Sequence, residues 1–109
     1  MPKIESFICT MQEMEADLAI ITETWITEDD QPTLDDVAEK SGFEFISRPR
    51  KKKKGGGIAI VFRRTHLAMT RCRVPNSSYE VAAAIGRRTG QRRKVLAVAA
   101  YIPPSYNAN

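Results

Sequence analysis

The sequence predicts one α/β domain in which a mostly antiparallel sheet is flanked by two helices. Two stretches have the apolar spacing of amphipathic helices, and six short apolar runs have the length of strands. Glycine, proline and asparagine separate the later runs, which favours tight turns and antiparallel pairing. The 109 residues suffice for a single domain, residues 1–109, with its own core. No apolar run approaches the roughly 18 residues of a membrane-spanning helix, so no membrane partner is expected.

The helices and strands can be placed along the chain in order. The first helix is predicted at residues 2–15, where apolar side chains recur three and four positions apart. The second begins with Thr33 as its N-terminal cap and ends at Gly42. Strands are predicted at residues 18–21, 43–47, 58–62, 67–74, 79–85 and 95–102. The first strand consists of four consecutive apolar residues, so we expect it to be buried on both faces.

Charge divides the chain into two halves of opposite sign. Residues 1–44 hold 12 of the 13 acidic residues and have a net charge of −10, whereas residues 45–109 hold 15 cations and only Glu80, giving +14. A polyanionic partner would explain so basic a half, and attraction between the two halves explains part of the pattern without one. Cys9 and Cys72 show neither metal-ligand spacing nor a disulfide framework, so an intracellular protein, nuclear or cytoplasmic, is expected.

Two basic segments stand out in the second half. The basic loop is followed by three glycines, and the basic hairpin runs from Gly86 to Lys94. Like charges at this density repel one another, so both segments are expected to be exposed. They are candidates for contact with a nucleic-acid backbone, and a solely solubilising role is the alternative. The candidate residues are Arg48, Arg50, Lys51, Lys52, Lys53 and Lys54 in the loop, and Arg87, Arg88, Arg92, Arg93 and Lys94 in the hairpin.

Glu23 is the candidate metal ligand. It follows the first strand closely, and the carboxyl ends of strands are where ligands bind in α/β sheets. A polar residue that merely leaves a strand is the alternative interpretation. The acidic segment 26–32 has contiguous carboxylates without the spacing of a calcium loop, which favours a solvated loop over a second metal site. His66 has no partner within reach along the sequence and is interpreted as a surface histidine.

Three motifs, in this order, carry a resemblance to a known family. Residues 16–25, ADLAIITETW, resemble the second-strand motif of the endonuclease/exonuclease/phosphatase superfamily. Residues 55–60, GGGIAI, resemble its glycine-led strand, and residues 100–104, AYIPP, resemble the strand end that carries its active-site tyrosine. Thr-Glu-Thr-Trp, the triple glycine and Tyr-x-Pro-Pro together are most similar to the endonuclease domain of non-LTR retrotransposons. The resemblance covers nearly the whole chain.

The resemblance implies part of a four-layered, DNase I-like α/β sandwich and a DNA endonuclease that depends on Mg²⁺, with Mn²⁺ as a substitute metal. It assigns Glu23 to the metal and Tyr101 to the phosphate, and we expect these residues on neighbouring strands that face one cleft. It also implies DNA as substrate and a reverse-transcriptase domain as a partner within a parent protein.

Other features of the family have no counterpart in the sequence. These are its first strand, its Asp-x-Asn motif and its terminal Asp-His pair. The chain is therefore expected to be an N-terminal fragment that does not cleave DNA by itself. A non-catalytic remnant that binds nucleic acid is one alternative, and a lipid or inositol phosphatase of the same superfamily is the other.

Overall fold

The computed structural model describes residues 4–22, 24, 28–48, 57–74 and 80–101. Two helices and six strands lie within these ranges, together with a short 3-10 turn at Glu28–Asp30. The helices are α1 (Ile4–Glu13) and α2 (Gln31–Ser41). The strands are β1 (Leu18–Thr22), β2 (Phe43–Arg48), β3 (Ile58–Arg63), β4 (Leu67–Cys72), β5 (Glu80–Arg88) and β6 (Lys94–Tyr101).

The six strands form two antiparallel sheets of three strands each. Sheet A has the order β1-β3-β2, and sheet B has the order β4-β5-β6. The predicted mixed α/β class with mostly antiparallel pairing is therefore confirmed. Five of the six residues of β3 are fully buried, because this strand is central in sheet A and both faces of the sheet are covered.

The two sheets pack face to face around one apolar core. Isoleucine and phenylalanine side chains of sheet A meet alanines of sheet B; the buried members are Ile46, Ile58, Ile60, Phe62, Leu67, Ala82, Ala84, Ala97 and Ala99. On the other face of sheet A, Ile8 and Met11 of α1 pack against Phe43, Ala59 and Val61. The described residues thus form three layers, which are the helices, sheet A and sheet B.

Strand β1 differs from its prediction. It was expected to be buried on both faces, but it lies at the edge of sheet A, and Ile20 remains 46% exposed. The register places Ile20 opposite Ile60, on the face that looks towards sheet B. Sheet B covers the central strand fully and this edge only in part. Four apolar residues in a row therefore indicated the strand correctly but not the extent of its burial.

Helix α2 begins two residues before the predicted cap. Asp30 precedes the helix without a capping hydrogen bond from its side chain, and Pro32 lies in the first turn, where its missing N–H costs nothing. Thr33 is therefore inside the helix, and the prediction that it caps the helix is wrong. The predicted end is confirmed: Gly42 adopts a φ of +83°, and its amide donates to the Ala38 carbonyl at 3.1 Å.

The basic hairpin is shorter than the sequence suggested, because its strands continue into the basic residues. Arg87 pairs with Lys94 in the ladder between β5 and β6, so only residues 89–93 form the turn. Arg87, Arg88 and Lys94 are therefore strand residues. Neither of the helices in the described part of the chain has the length and apolar character that a bilayer crossing requires.

Candidate active site

One end of the sandwich, called the tyrosine end below, collects the strand ends that the sequence motifs singled out. β1 arrives there with Thr22 opposite Ile58, and β6 arrives with Tyr101 opposite Glu80. β1 and β6 belong to different sheets and contact one another across the core. β1 and β6 are thus neighbours across the sandwich and not within one sheet.

A chain of contacts joins these two strand ends. The Thr24 amide donates to the Gly57 carbonyl at 3.2 Å, and the Gly57 amide donates to Glu80 Oε1 at 2.9 Å. Glu80 is in turn the cross-strand partner of Tyr101. Gly57 has a φ of +85°, which residues with a side chain rarely adopt, so the start of β3 requires a glycine. The backbone at Thr24 is thereby tied to the strand pair that holds Tyr101.

Of the two predicted catalytic residues, Tyr101 is described and Glu23 lies outside the described residues. Tyr101 is half-buried and packs against the core between the sheets. Thr22 and Thr24, which flank Glu23 in the sequence, both lie at the tyrosine end. The assignments of Glu23 to a metal and of Tyr101 to a phosphate stay predictions.

Glu80 is a residue of this end that the sequence analysis did not single out. It is the only acidic residue in the basic half of the chain, yet the fold brings it to the tyrosine end and not beside the basic hairpin. A carboxylate repels a nearby phosphate unless hydrogen-bond donors or a cation offset its charge. Here its Oε1 accepts the Gly57 amide. Its isolation among cations is the signal from which the sequence could have identified it.

The basic loop contributes one described residue to this end. Arg48 Nη1 donates to the Val81 carbonyl at 2.7 Å, so the guanidinium braces sheet A against sheet B. The other predicted nucleic-acid contacts of the loop, Arg50, Lys51, Lys52, Lys53 and Lys54, lie outside the described residues.

The basic hairpin lies at the opposite end of the sandwich, called the hairpin end below. Lys94 starts β6 and Tyr101 ends it. At a rise of about 3.3 Å per residue, the strand separates the two ends by about 23 Å. The hairpin therefore does not flank the tyrosine end. A separation of about 23 Å corresponds to about seven nucleotides of one DNA strand.

The described cations of the basic half differ in what their side chains contact. Some donate within the protein, as Arg71 does to the Ser47 carbonyl at 2.7 Å and Arg64 to the carbonyls of Ala38 and Glu39. Four hairpin cations form the other group, since no hydrogen bond or ion pair is found for their side chains within the described residues. These four are Arg87, Arg92, Arg93 and Lys94. This second group, together with the exposed Arg73 after β4, is available to an external anion without breaking an internal bond.

A second cluster of charged side chains lies at the hairpin end, around Asp17. Its carboxylate accepts from His66 Nδ1 at 2.7 Å and lies 3.1 Å from Arg88 Nη1. Arg63 Nε is 3.4 Å away, close enough for an ion pair but without hydrogen-bond geometry. The hydrogen bond from His66 is the main cause that lowers the pKa of Asp17, with the charge of Arg88 adding to it. His66 therefore has a partner, Asp17, which the sequence analysis did not find because it lies 49 positions away in the sequence.

The backbone around this cluster joins the hairpin to the turn between β3 and β4. The Thr89 amide donates to the His66 carbonyl at 2.9 Å, and the Thr89 hydroxyl donates to the Thr65 carbonyl at 3.1 Å. Asp17 precedes β1 and Glu23 follows it, so the strand also separates the Asp17–His66 pair from the tyrosine end. The pair is thus a connection between loops, and it is out of reach of Tyr101.

No group of three or more metal-ligating side chains occurs within the described ranges, to which Glu23 does not belong. The donors that the fold does bring to the tyrosine end are the Glu80 carboxylate, the threonine hydroxyls and the Tyr101 phenol. All of them are oxygen donors, which suit a hard cation such as Mg²⁺. Comparison with protein-family models, with curated proteins and with solved structures found no match for this chain.

Proposed function

We propose that this chain forms the metal-and-tyrosine part of a Mg²⁺-dependent phosphodiesterase that nicks DNA, of the type found in non-LTR retrotransposons. The observation that carries the proposal is the chain of contacts from Thr24 through Gly57 and Glu80 to the partner position of Tyr101. Through it, motifs that are far apart in the sequence meet at one end of the sandwich. Oxygen donors gathered beside a positioned tyrosine suit metal-assisted chemistry on a phosphodiester.

In this proposal Glu23 and Tyr101 each have a defined task. Glu23 would hold Mg²⁺, which supplies charge stabilisation for the scissile phosphate and the leaving oxygen. The Tyr101 hydroxyl donates a hydrogen bond to a phosphate oxygen, and the packing of its ring against the core keeps that hydroxyl in place. The Asp17–His66 pair does not serve as the general base, because it lies at the hairpin end.

The substrate is DNA because of the charge that remains free in the basic half. Four unpaired cations in one hairpin offer phosphate contacts about seven nucleotides from the tyrosine end. The same observation favours a second candidate function, a non-catalytic module that binds nucleic acid through these cations alone. The two candidates differ in whether a divalent metal takes part.

Metal dependence of DNA binding separates the two candidates. Duplex DNA is titrated with the protein in Mg²⁺ and in its absence, at constant ionic strength. If Glu23 and the DNA phosphate share the metal, Mg²⁺ raises the affinity of the wild type and not that of Glu23→Gln. A module that binds through cations alone loses affinity in Mg²⁺, because the ion competes for phosphate. Glu39→Gln, an exposed carboxylate on α2, is the matched control and should behave as the wild type.

A further inference from the structure

The outer face of sheet B, which points away from sheet A, is largely apolar, and its larger side chains are exposed although Ala83 at its centre is buried. Leu96 and Val98 of β6 are 62% and 52% exposed, and Ile85 of β5 is 39% exposed. Side chains alternate between the two faces of a strand. Since Ala82, Ala84, Ala97 and Ala99 point into the core, the outward positions are Ala68, Thr70 and Cys72 on β4, Val81, Ala83, Ile85 and Arg87 on β5, and Lys94, Leu96, Val98 and Ala100 on β6.

This composition is that of a covered face. An antiparallel sheet with one face in water places polar residues on that face. Nine of these eleven outward positions carry no charge, and only Thr70 among the nine is polar; the two charged positions, Arg87 and Lys94, lie together at one margin. Sheet A offers the comparison within the same molecule: its outer face is equally apolar, and α1 covers it with Ile8 and Met11. Both described helices lie on sheet A, so sheet B displays its apolar face to solvent.

Charge at one margin of this face indicates what binds there. Arg87 follows the apolar positions of β5 and Lys94 precedes those of β6, so the two are directly opposite one another and point to the same outer side. Like charges in this position destabilise a strand pair. Both side chains are exposed, and no anion from the described residues pairs with either. Carboxylates of a bound partner would remove this repulsion.

We propose that the outer face of sheet B binds an amphipathic α-helix of a partner protein, with an apolar stripe over Ile85, Leu96 and Val98 and acidic residues against Arg87 and Lys94. The stretch from Leu96 to Ala100 is about 13 Å long at 3.3 Å per residue. It matches about nine residues, or two to three turns, of helix. The acidic residues belong at one end of the stripe, because the two cations lie at one margin.

Two other occupants fit this face less well. DNA offers anions for Arg87 and Lys94 but no apolar surface that would remove Leu96 and Val98 from water. A second copy of the chain offers an apolar face, but its sheet B carries cations and no carboxylate at the outward positions. None of these residues lies at the tyrosine end, but Arg87 and Lys94 are two of the four hairpin cations that the proposed function assigns to DNA phosphates, so a bound helix would compete with DNA for these two cations.

A pair of synthetic helices tests the proposal. Each peptide of about 18 residues carries the same leucine and alanine stripe, and one has glutamates where the other has lysines in its terminal turn. Affinities are measured by fluorescence anisotropy. We expect the acidic peptide to bind the wild type at least about tenfold more tightly than the basic one, as two charge-assisted contacts imply. Equal affinities, or no binding of either peptide, would overturn the proposal.

Variants of the protein separate the apolar and the charged contributions. Leu96→Ser combined with Val98→Ser should weaken binding of the acidic peptide by about tenfold or more. Met14→Ser should leave it unchanged, because Met14 is 72% exposed on a different part of the surface. Arg87→Glu combined with Lys94→Glu should reverse the preference in favour of the basic peptide. All these side chains are exposed, so circular dichroism should show the same fold in every variant.

The remaining outcomes decide against the proposal. If Leu96→Ser with Val98→Ser has no effect on the peptide, or if the charge reversal fails to invert the preference, no helix binds here. If the wild type forms a concentration-dependent dimer in sedimentation that this double variant abolishes, the face joins two copies. If the acidic peptide binds the wild type and the serine variant equally and duplex DNA displaces it from both, Arg87 and Lys94 contact anions without a helix on the apolar positions.

Discussion

The division of the arginines into engaged and unpaired groups makes a sharp prediction for the salt dependence of DNA binding. Each phosphate that a cation neutralises contributes about 0.9 to the slope of log K against log salt concentration. The four unpaired hairpin cations should therefore contribute about 3.6 to the slope. Between about 50 and 200 mM salt, a contribution of this size alone weakens binding by about 150-fold.

Two double variants with the same change in net charge test this reasoning. Arg92→Gln with Arg93→Gln removes two unpaired cations, and we expect the slope to fall by about 1.8. Arg64→Gln with Arg71→Gln removes two guanidiniums that already donate to backbone carbonyls, so we expect almost no change in slope. Fluorescence anisotropy on a random-sequence duplex at four salt concentrations measures both, and urea unfolding checks that each variant is folded.

The comparison between the two pairs decides the outcome. An equal fall in slope for both would mean that DNA senses only the net charge of the protein, and the distinction between engaged and unpaired arginines would be wrong. No fall for the hairpin pair would mean that the hairpin only keeps the protein soluble.

Three further expectations concern the remaining parts of the molecule. Asp17→Asn should lower the free energy of unfolding at pH 7 by about 1–3 kcal/mol, because it weakens charge-assisted contacts to a carboxylate. The control is Asp36→Asn, which should lower the free energy of unfolding by at most about 0.5 kcal/mol, because Asp36 is exposed and pairs with Lys40 one helical turn away. Since the folded pKa of Asp17 is lowered, its contribution is present above the unfolded pKa and is lost as pH falls through the folded pKa. In urea unfolding, the difference between the wild type and Asp17→Asn should therefore be smaller at pH 2 than at pH 7. Glu80→Ala should speed hydrogen exchange at the Gly57 amide, whereas Glu80→Gln, which keeps a hydrogen-bond acceptor, should keep that amide protected. Equal exchange rates in the two variants would show that Glu80 does not hold the Gly57 amide. The purified chain should not nick supercoiled plasmid in Mg²⁺, because the general base of the family has no counterpart in the sequence and loss of a general base costs roughly 10²- to 10⁴-fold. Nicking that chelator and Glu23→Ala both abolish would contradict this.

Local patterns in the sequence were sufficient for the fold class. The two helices and six strands all appear near their predicted positions because apolar periodicity and glycine or proline at the boundaries are local signals. The errors arose where tertiary contacts decide how far a residue is buried or how far a strand extends. Ile20 is exposed because of its place at a sheet edge, and Arg87 and Arg88 extend β5 because they pair with β6 and β4. A run of basic residues after Gly86 looks like a turn until the opposite strand is known.

The candidate site was predictable only where a motif carried it. Tyr101 was identified from the residues around it, but Glu80 has no motif, and its hydrogen bond to Gly57 spans 23 positions. The bond between His66 and Asp17 spans 49 positions and joins two turns that only the antiparallel pairing brings together. The separation of the hairpin end from the tyrosine end likewise follows from strand direction. Charge counts indicate that a polyanion binds, but they do not indicate where.

The most direct test of the proposed function is the location of a bound metal ion. Mn²⁺ broadens the amide signals of nearby residues in NMR spectra of the labelled protein, and it can substitute for Mg²⁺. We expect selective broadening at Thr24, Gly57, Glu80 and Tyr101, with none at Asp17, and we expect it to disappear in Glu23→Gln. Broadening that centres on the acidic residues 28–39, or that persists in Glu23→Gln, would contradict a metal site at the tyrosine end.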